Sequence, residues 1–246
     1  MNKELVTLAK AHHLTAFVSG KAKIPEGLTN EEYLLELLRG EGKARDERLL
    51  KERIKSAHLP TYKGFEEFDV DFQNGITKKQ LDTLASLEWV DEVFNLILIG
   101  PPGTGKTHLA LAVGNKAVRE GYNVSFVTMD NLVHILKTSE ISIKSTNRLR
   151  VIKKSDLLII DELGYLPVSR TESNLFFSLI SELYENASIV ITSNKGFDGW
   201  AEILGDSVLA TALLDRLTHK CQIMSFVDSD GKDNSWRLAH RQQIFK

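Results

Sequence analysis

The apolar residues divide the chain into two parts that differ in periodicity. Up to residue 58 they recur at helical spacing, as Leu5, Leu8 and Ala9 illustrate. After residue 72, short apolar runs alternate with helical stretches, which predicts a parallel sheet covered by helices. The predicted strands are Leu96–Gly100, Val124–Thr128, Leu157–Asp161 and Ile189–Ser193. The clearest predicted helices are Lys106–Glu120, Glu172–Tyr184 and Val208–Lys220.

The first part contains only helix signals. Thr29 and Glu32 have the spacing of a capping box, which predicts that a helix begins there. Gly40 and Gly42 are expected to end that helix, and a charged third helix is expected to follow. Pro60 and Gly64 then interrupt the pattern, as expected of a linker. We therefore predict a helical domain at 1–58, a linker at 59–72 and an α/β domain at 73–246.

Composition narrows the class of protein. The chain has 246 residues, of which 42% are apolar, and a net charge of −2, so no global basicity points to nucleic acid. Cys221 is the single cysteine, which excludes an internal disulfide and fits a reducing compartment. The N-terminal residues lack the apolar core of a secretory signal, and no apolar run is long enough to span a bilayer. We expect a cytoplasmic protein with no membrane partner.

A phosphate-binding loop is the strongest chemical signal. The segment LILIGPPGTGKT, which ends at Thr107, fits G-x-x-x-x-G-K-[ST] between a predicted strand and a predicted helix. Gly103 and Gly105 allow backbone N–H groups to turn toward phosphate oxygens, and the start of the next helix adds positive potential. We expect Lys106 to contact the β- and γ-phosphates of ATP and the Thr107 hydroxyl to bind Mg²⁺; a chance glycine-rich turn is the alternative. The predicted nucleotide contacts are Gly100, Pro101, Pro102, Gly103, Thr104, Gly105, Lys106, Thr107 and His108.

A second motif predicts hydrolysis. The apolar run Leu157–Ile160 leads into Asp161 and Glu162, and downstream of a phosphate loop we expect Asp161 to hold Mg²⁺ through water. Glu162 would orient and deprotonate the attacking water. Asn194 follows another predicted strand, so it would either position that water or form the turn before Lys195.

Four segments together carry a family resemblance. GPPGTGKTHLA, DLLIIDELGYLP, ITSN and ALLDRLTHKC closely resemble the IstB family of transposition helper ATPases, which are AAA+ proteins related to the DnaC helicase loaders and the DnaA initiators. The similarity runs over essentially the full chain. It implies an AAA+ P-loop ATPase fold, with a parallel sheet flanked by helices and a small all-helical N-terminal domain. It also implies a bacterial homo-oligomer that binds ATP between subunits, binds duplex DNA and serves a cognate transposase.

The resemblance assigns further residues. Lys106 and Glu162 take the catalytic positions of the family, and Asn194 takes that of the first sensor. Arg216 falls where the family places an arginine finger, which would reach the γ-phosphate of the adjacent subunit. A surface arginine paired with its neighbouring aspartate is the less favoured alternative for Arg216. Arg237, in NSWRL, resembles the second sensor and joins the predicted nucleotide contacts.

Two aromatic residues of the linker have two readings. Phe65 and Phe68 lie where this family contacts adenine, and burial against helices of the same domain is the alternative. His108, just inside the helix after the loop, can likewise be a packing or surface residue.

A basic segment follows the second predicted strand. Residues 137–154 hold six basic side chains against Glu140 alone, a local charge of +5. Such a basic run is more often a solvent-exposed helix face, but the resemblance favours contact with DNA phosphates. No motif for sequence-specific DNA recognition is evident. The predicted DNA contacts are Lys137, Lys144, Arg148, Arg150, Lys153 and Lys154.

Four functions therefore compete. The first is an ATP-dependent, DNA-bound oligomer that assists a transposase, and its alternative from the same fold is a DnaC-like replicative helicase loader. The third is a small-molecule kinase, which DELGYLP and Arg216 disfavour. The fourth is a non-enzymatic DNA architectural protein that needs only bound ATP.

Overall fold

The structure is a computed structural model that describes residues 3–21, 24–25, 27–70, 75–164 and 168–226. The chain divides into two compact units, Met1–Glu52 and Arg53–Lys246. The domain boundaries drawn from the sequence stay predictions. Among the described helices, none combines the length and apolar character that a membrane crossing needs.

The N-terminal helices are α1 (Lys3–Ala11), α2 (Thr15–Val18) and α3 (Asn30–Ala57). The capping box at the start of α3 is confirmed, because Thr29 N donates to Glu32 Oε2 at 2.8 Å and Glu32 N donates to Thr29 Oγ1 at 3.3 Å. The predicted break at Gly40 and Gly42 is wrong, since α3 runs through both glycines and includes the expected third helix. A glycine inside a helix costs only about 1 kcal/mol relative to alanine, and strong helix formers surround these two.

The second unit is built on a five-stranded parallel sheet. Its strands are β1 (Asn95–Ile99), β2 (Val124–Thr128), β3 (Leu157–Leu163), β4 (Ser188–Ser193) and β5 (Cys221–Ser225). Their order across the sheet is β2-β3-β4-β1-β5, so β1 lies between β4 and β5. The α/β fold class is confirmed. The helices of this unit are α4 (Lys78–Ser86), α5 (Glu88–Asp91), α6 (Lys106–Glu120), α7 (Met129–Thr138), α8 (Ile143–Lys153), α9 (Arg170–Leu183), α10 (Trp200–Leu204) and α11 (Ser207–Thr218).

Both faces of the central strands are buried. Leu158 and Ile160 of β3 face a core cluster shared with α7, α9, α10 and α11. Ile159 points to the opposite face, beside Gly114 of α6. Because alternate side chains of β3 are buried on both sides, the strand reads as an unbroken apolar run.

Two strands differ from the sequence prediction. β3 was expected to end at Asp161, but it continues to Leu163 through an irregularity in its pairing with β4. β5 was not predicted at all. It is an edge strand in which Gln222 and Ile223 are exposed and Met224 is buried, so it has no clear apolar pattern.

Candidate functional site

The phosphate loop lies at the carboxyl edge of the sheet. It follows β1, and α6 begins at its end with Lys106. Gly103 and Gly105 have φ angles of 86° and 91°, in the left-handed region that favours glycine. Gly100 N donates to Ser193 O at 3.1 Å, so the start of the loop is tied to the end of β4. The backbone therefore has the curl that a phosphate cradle requires.

Lys106 is held inside this loop. Its ammonium donates to Pro101 O at 2.7 Å and to Thr104 Oγ1 at 3.4 Å, and the residue is 8% exposed. Thr104 Oγ1 also donates to Pro101 O at 2.9 Å, while Pro102 lies at the exposed tip. The cation is thus fixed among the backbone groups that would surround a phosphate.

The structure brings Thr107 and Asp161 together. Thr107 Oγ1, in the first turn of α6, donates to Asp161 Oδ1 on β3 at 2.9 Å. Thr107 follows β1 through the phosphate loop and Asp161 lies near the end of β3, so both are at the edge of the sheet where parallel α/β folds bind ligands. The pairing of a hydroxyl with an aspartate at a phosphate loop is the arrangement expected of a magnesium–nucleotide site.

The residues present fit Mg²⁺. Asp161 is only 4% exposed, and no cation of the described residues lies within ion-pair distance of its carboxylate. A buried carboxylate is costly without a compensating charge. The described residues contain no group of three or more His, Cys, Asp or Glu suited to a metal. Mg²⁺ in nucleotide sites takes one or two protein ligands and completes its coordination with phosphate and water oxygens.

Glu162 and Asn194 lie at the same edge. Glu162 is exposed directly after Asp161 and adopts a φ of 64°, which is rare for a residue other than glycine. Two residues further on, a Cβ placed on Gly164 would come within 3.1 Å of Asn194 Oδ1. The missing side chain of Gly164 therefore leaves space for Asn194 beside the end of β3.

The linker packs on α6 next to the loop. Phe68 is buried, and its ring meets that of His108 edge-on with centroids 5.5 Å apart. His108 Nε2 also lies 3.3 Å from Gly64 O, and burial lowers the pKa of His108. Asn115, two turns further along α6, donates to Lys63 O at 3.2 Å. The His108 ring thus contacts the linker. For Phe68, the structure supports burial against a helix of its own domain.

Arg216 lies at the opposite edge of the sheet. It lines a cleft of about 110 Å³ together with Asn95, Ala187 and Lys220, which lie at or just before the starts of β1, β4 and β5. Five residues of β1 separate that edge from the phosphate loop, roughly 16 Å at about 3.3 Å per residue. The guanidinium stacks on the Phe177 ring at 4.6 Å and donates to Ala212 O. One chain therefore does not bring Arg216 to its own loop.

The basic segment forms the end of α7, a short loop and α8, and half of its cations already have partners elsewhere in the chain. Lys137 pairs with Glu172 at 2.9 Å, and Lys153 pairs with Glu182 at 2.6 Å. Arg148 is half-buried and donates to two backbone carbonyls. The cations that stay exposed without an ion pair or a buried position are Lys144, Arg150 and Lys154.

Sequence reasoning missed two residues that contact these groups. Thr192 on β4 bonds both the Asp161 side chain and the Glu162 backbone. Its signal was a hydroxyl residue directly after the apolar run Ile189–Ile191 of a central strand. Phe177, beneath Arg216, gave no signal because it reads as an ordinary apolar helix position. Arg237 lies outside the described residues.

Comparisons with known proteins place these features in a family. A family model for the IstB-like ATP binding protein matches residues 4–244. The insertion sequence IS21 putative ATP-binding protein of Pseudomonas aeruginosa is 41% identical over 233 residues, which cover 95% of this chain and 85% of the relative. The IS5376 putative ATP-binding protein of Geobacillus stearothermophilus is 38% identical over 215 residues, which cover 87% and 84%.

Solved structures share the fold. A DnaI crystal structure matches with a TM-score of 0.56 at 22% identity over 67% of this chain and 91% of that one. The DnaC helicase loader matches with a TM-score of 0.51 at 23% identity over 69% and 96%. At these identities the likeness shows the fold alone, which is the predicted AAA+ P-loop fold.

Proposed function

The chain belongs to the family of IstB-like ATP-binding proteins, and on that premise we propose that it hydrolyses ATP as an oligomer assembled on duplex DNA. The oligomer assists the transposase of an insertion sequence in the bacterial cytoplasm. The hydrogen bond of Thr107 to the buried Asp161 carboxylate beside the phosphate loop carries the proposal, because it unites the groups that hold a magnesium nucleotide. The names of the relatives, putative ATP-binding proteins of insertion sequences, support the same assignment.

The residues at the carboxyl edge of the sheet have different roles in the proposed hydrolysis. Backbone N–H groups of the loop and the Lys106 ammonium bind the phosphates, and Thr107 and Asp161 would hold Mg²⁺. Bound Mg²⁺ supplies a Lewis acid that neutralises charge on the phosphoryl oxygens. Glu162 accepts a proton from the attacking water, and Asn194 helps to orient that water.

The position of Arg216 supports a site shared between subunits. Its guanidinium lies at the amino edge of the sheet, about 16 Å of strand away from the loop on the same chain. An arginine that neutralises transition-state charge raises phosphoryl-transfer rates by several orders of magnitude. Arg216 therefore acts on the nucleotide of the adjacent subunit.

A mixing experiment tests the shared site. Glu162→Gln removes the base and keeps the finger, whereas Arg216→Ala keeps the base and removes the finger. Each variant alone should hydrolyse ATP slowly. In a random one-to-one mixture, roughly one interface in four combines an intact base with an intact finger, and turnover should recover in that proportion. Absence of recovery, or wild-type monomers that hydrolyse as fast as assemblies, would exclude the role in trans.

Contact with DNA is supported by the exposed cations of α8 and its end, Lys144, Arg150 and Lys154. Backbone phosphate contacts of this kind carry no base specificity. ATP and a duplex together should produce a large assembly in size-exclusion chromatography with light scattering. A strict monomer in the presence of both ligands would refute the proposed assembly.

The partner is tested separately from the chemistry. Affinity capture with the purified cognate transposase and with a replicative helicase distinguishes the two candidate roles. Capture of the transposase alone is expected. Capture of the helicase alone would assign the chain to helicase loading instead.

A further inference from the structure

The end of β3 contains a bulge at the proposed catalytic glutamate. β3 and β4 pair in register from Leu157–Ser188 to Ile160–Ile191, and the next pair is Leu163 with Ser193. Three steps on β3 thus oppose two steps on β4, which is the signature of one extra residue in the bulged strand. Glu162 lies inside this bulge with a φ of 64°. Its amide therefore needs a partner outside the regular ladder.

One side-chain hydroxyl supplies that partner. Thr192 lies on β4 opposite the bulge and is 2% exposed. Glu162 N donates to Thr192 Oγ1 at 3.0 Å, and the same Oγ1 donates to Asp161 Oδ1 at 2.5 Å. A hydroxyl has one donor and two acceptor positions, so both bonds form at once. Thr192 thereby connects the backbone of the proposed base to the carboxylate proposed for Mg²⁺.

The two hydroxyls around Asp161 act on the same oxygen. Thr107 and Thr192 both donate to Oδ1, and no described residue donates to Oδ2. This arrangement fixes the rotation of the carboxylate and leaves Oδ2 for water in the proposed magnesium site. The same Thr192 hydroxyl stabilises the left-handed backbone of Glu162, which determines where the glutamate side chain points.

We propose that Thr192 is a positioning residue for ATP hydrolysis, which orients Asp161 and holds Glu162 in its strained backbone conformation through one hydroxyl. The inference rests on the proposed hydrolytic function. It extends that function to a residue with no direct contact to the nucleotide. Loss of a hydrogen bond behind a metal ligand commonly lowers metal affinity or activity by about 10–100-fold, and a loss of this size is expected here.

The test compares Thr192→Val, which keeps the shape and removes the hydroxyl, with Thr192→Ser, which keeps the hydroxyl. Ser125→Ala is the matched control, because Ser125 is a fully buried strand residue on β2 whose hydroxyl bonds only to Ser155 in the described part of the chain. The first readout is amide hydrogen exchange at Glu162 in the nucleotide-free protein. Thr192→Val should raise exchange at Glu162 selectively, and Thr192→Ser and Ser125→Ala should leave it at the wild-type rate.

The second readout is the Mg²⁺ dependence of binding of a fluorescent ATP analogue, followed by turnover. Thr192→Val should need about tenfold more Mg²⁺ for tight binding, bind the analogue normally without Mg²⁺, and turn over ATP 10–100-fold more slowly. Wild-type exchange at Glu162 in Thr192→Val overturns the inference. Failure of Thr192→Ser to restore the Mg²⁺ dependence also overturns it, because the methyl group would then be the important part.

Failure of the proposed function gives a different result. If Glu162→Gln turns over ATP at the wild-type rate, Glu162 is not the base. The exchange measurement on Thr192→Val is still valid in that case, because it uses neither ATP nor Mg²⁺.

Discussion

Substitution of Arg148 tests whether this cation stabilises the fold or binds DNA. The sequence placed it among six predicted DNA contacts, but its side chain reaches into the chain. Nη1 donates to Ser56 O at 2.9 Å and Nη2 donates to Phe126 O at 2.8 Å, so one guanidinium joins the end of α3 to β2. Burial lowers the pKa of Arg148, but an arginine keeps its charge at any ordinary pH. We predict that Arg148→Ala destabilises the protein and leaves DNA affinity largely unchanged.

The magnitude follows from these two bonds. A hydrogen bond to a charged group contributes about 1.5–3 kcal/mol, and the half-exposed position of Arg148 favours the lower figure for each bond. The free energy of unfolding should therefore fall by about 3 kcal/mol in Arg148→Ala. At about 2–4 °C per kcal/mol for a domain of this size, the melting temperature should fall by about 6–12 °C.

Two further variants control the measurement. Arg148→Lys keeps the charge but not the planar fork that serves two carbonyls, so it should recover little of the lost stability. Arg150→Ala removes an exposed cation that, among the described residues, hydrogen-bonds to Asn147 of the same helix, so stability should change by less than about 0.5 kcal/mol. If Arg150 contacts a phosphate, the same variant should lower the slope of log affinity against log salt by about 0.9.

The assays are thermal melting and DNA binding by fluorescence anisotropy over a salt series, well below the melting temperature of the weakest variant. The expected pattern is a stability loss confined to the Arg148 variants and a slope change confined to Arg150→Ala. The reasoning is refuted if Arg148→Ala melts with the wild type and lowers the salt slope by about one unit. Arg148 would then release its two carbonyls in order to contact DNA.

Three other outcomes follow from the structure. Lys106→Ala should abolish binding of a fluorescent ATP analogue, and wild-type affinity in this variant would contradict the phosphate site. Phe177→Leu removes the aromatic ring on which Arg216 stacks, so ATP affinity should stay constant while the turnover of assemblies falls several-fold. Phe177→Tyr keeps the ring and is the matched control. Equal turnover in wild type and both variants would exclude a role of the Phe177 ring in positioning Arg216. Glu172 accepts hydrogen bonds first from the Lys137 ammonium and then from Ser169, which lower its pKa to about 2. Because the folded-state pKa of Glu172 is depressed, the ion pair stabilises the fold above about pH 4.3, and most of this contribution is lost as the pH falls to about 2. The melting temperatures of wild type and Glu172→Gln should therefore converge over that window, and a difference of undiminished size at pH 2 would exclude the linkage.

The central strands could be predicted because strands that are buried on both faces consist of consecutive apolar residues. Residues Leu157–Ile160 are buried on both faces, so every position is apolar. β5 was not predictable in this way, because one of its sides is the sheet edge and its exposed positions accept polar residues. Gly40 and Gly42 misled the helix prediction for a related reason: a local penalty of about 1 kcal/mol per glycine is outweighed by the helix formers around it.

The site was predictable to the extent that topology alone determines it. Parallel strands deliver their carboxyl ends to one edge of the sheet, so the loop after β1 and Asp161 on β3 were expected at the same edge, and the structure brings them together across the end of β4. The partners of individual side chains depend on helix rotation and strand register instead. The inward turn of Arg148 and the double role of Thr192 are of this kind, and a single sequence does not specify them.

The separation of Arg216 from the phosphate loop determines the kind of assembly that the proposed site requires. The loop lies at the carboxyl edge of the sheet and Arg216, the proposed finger, at the amino edge. In the proposed site, one subunit would therefore present its loop surface and its neighbour would present the Arg216 surface. Such a head-to-tail interface generates a ring if its rotation closes and an open helix if it does not, and an open helix can follow DNA. Because each nucleotide would lie between two chains, ATP binding and assembly are thermodynamically linked. ATP binding and assembly would then strengthen each other by the same factor, and the proposed hydrolysis at one interface would weaken that interface first.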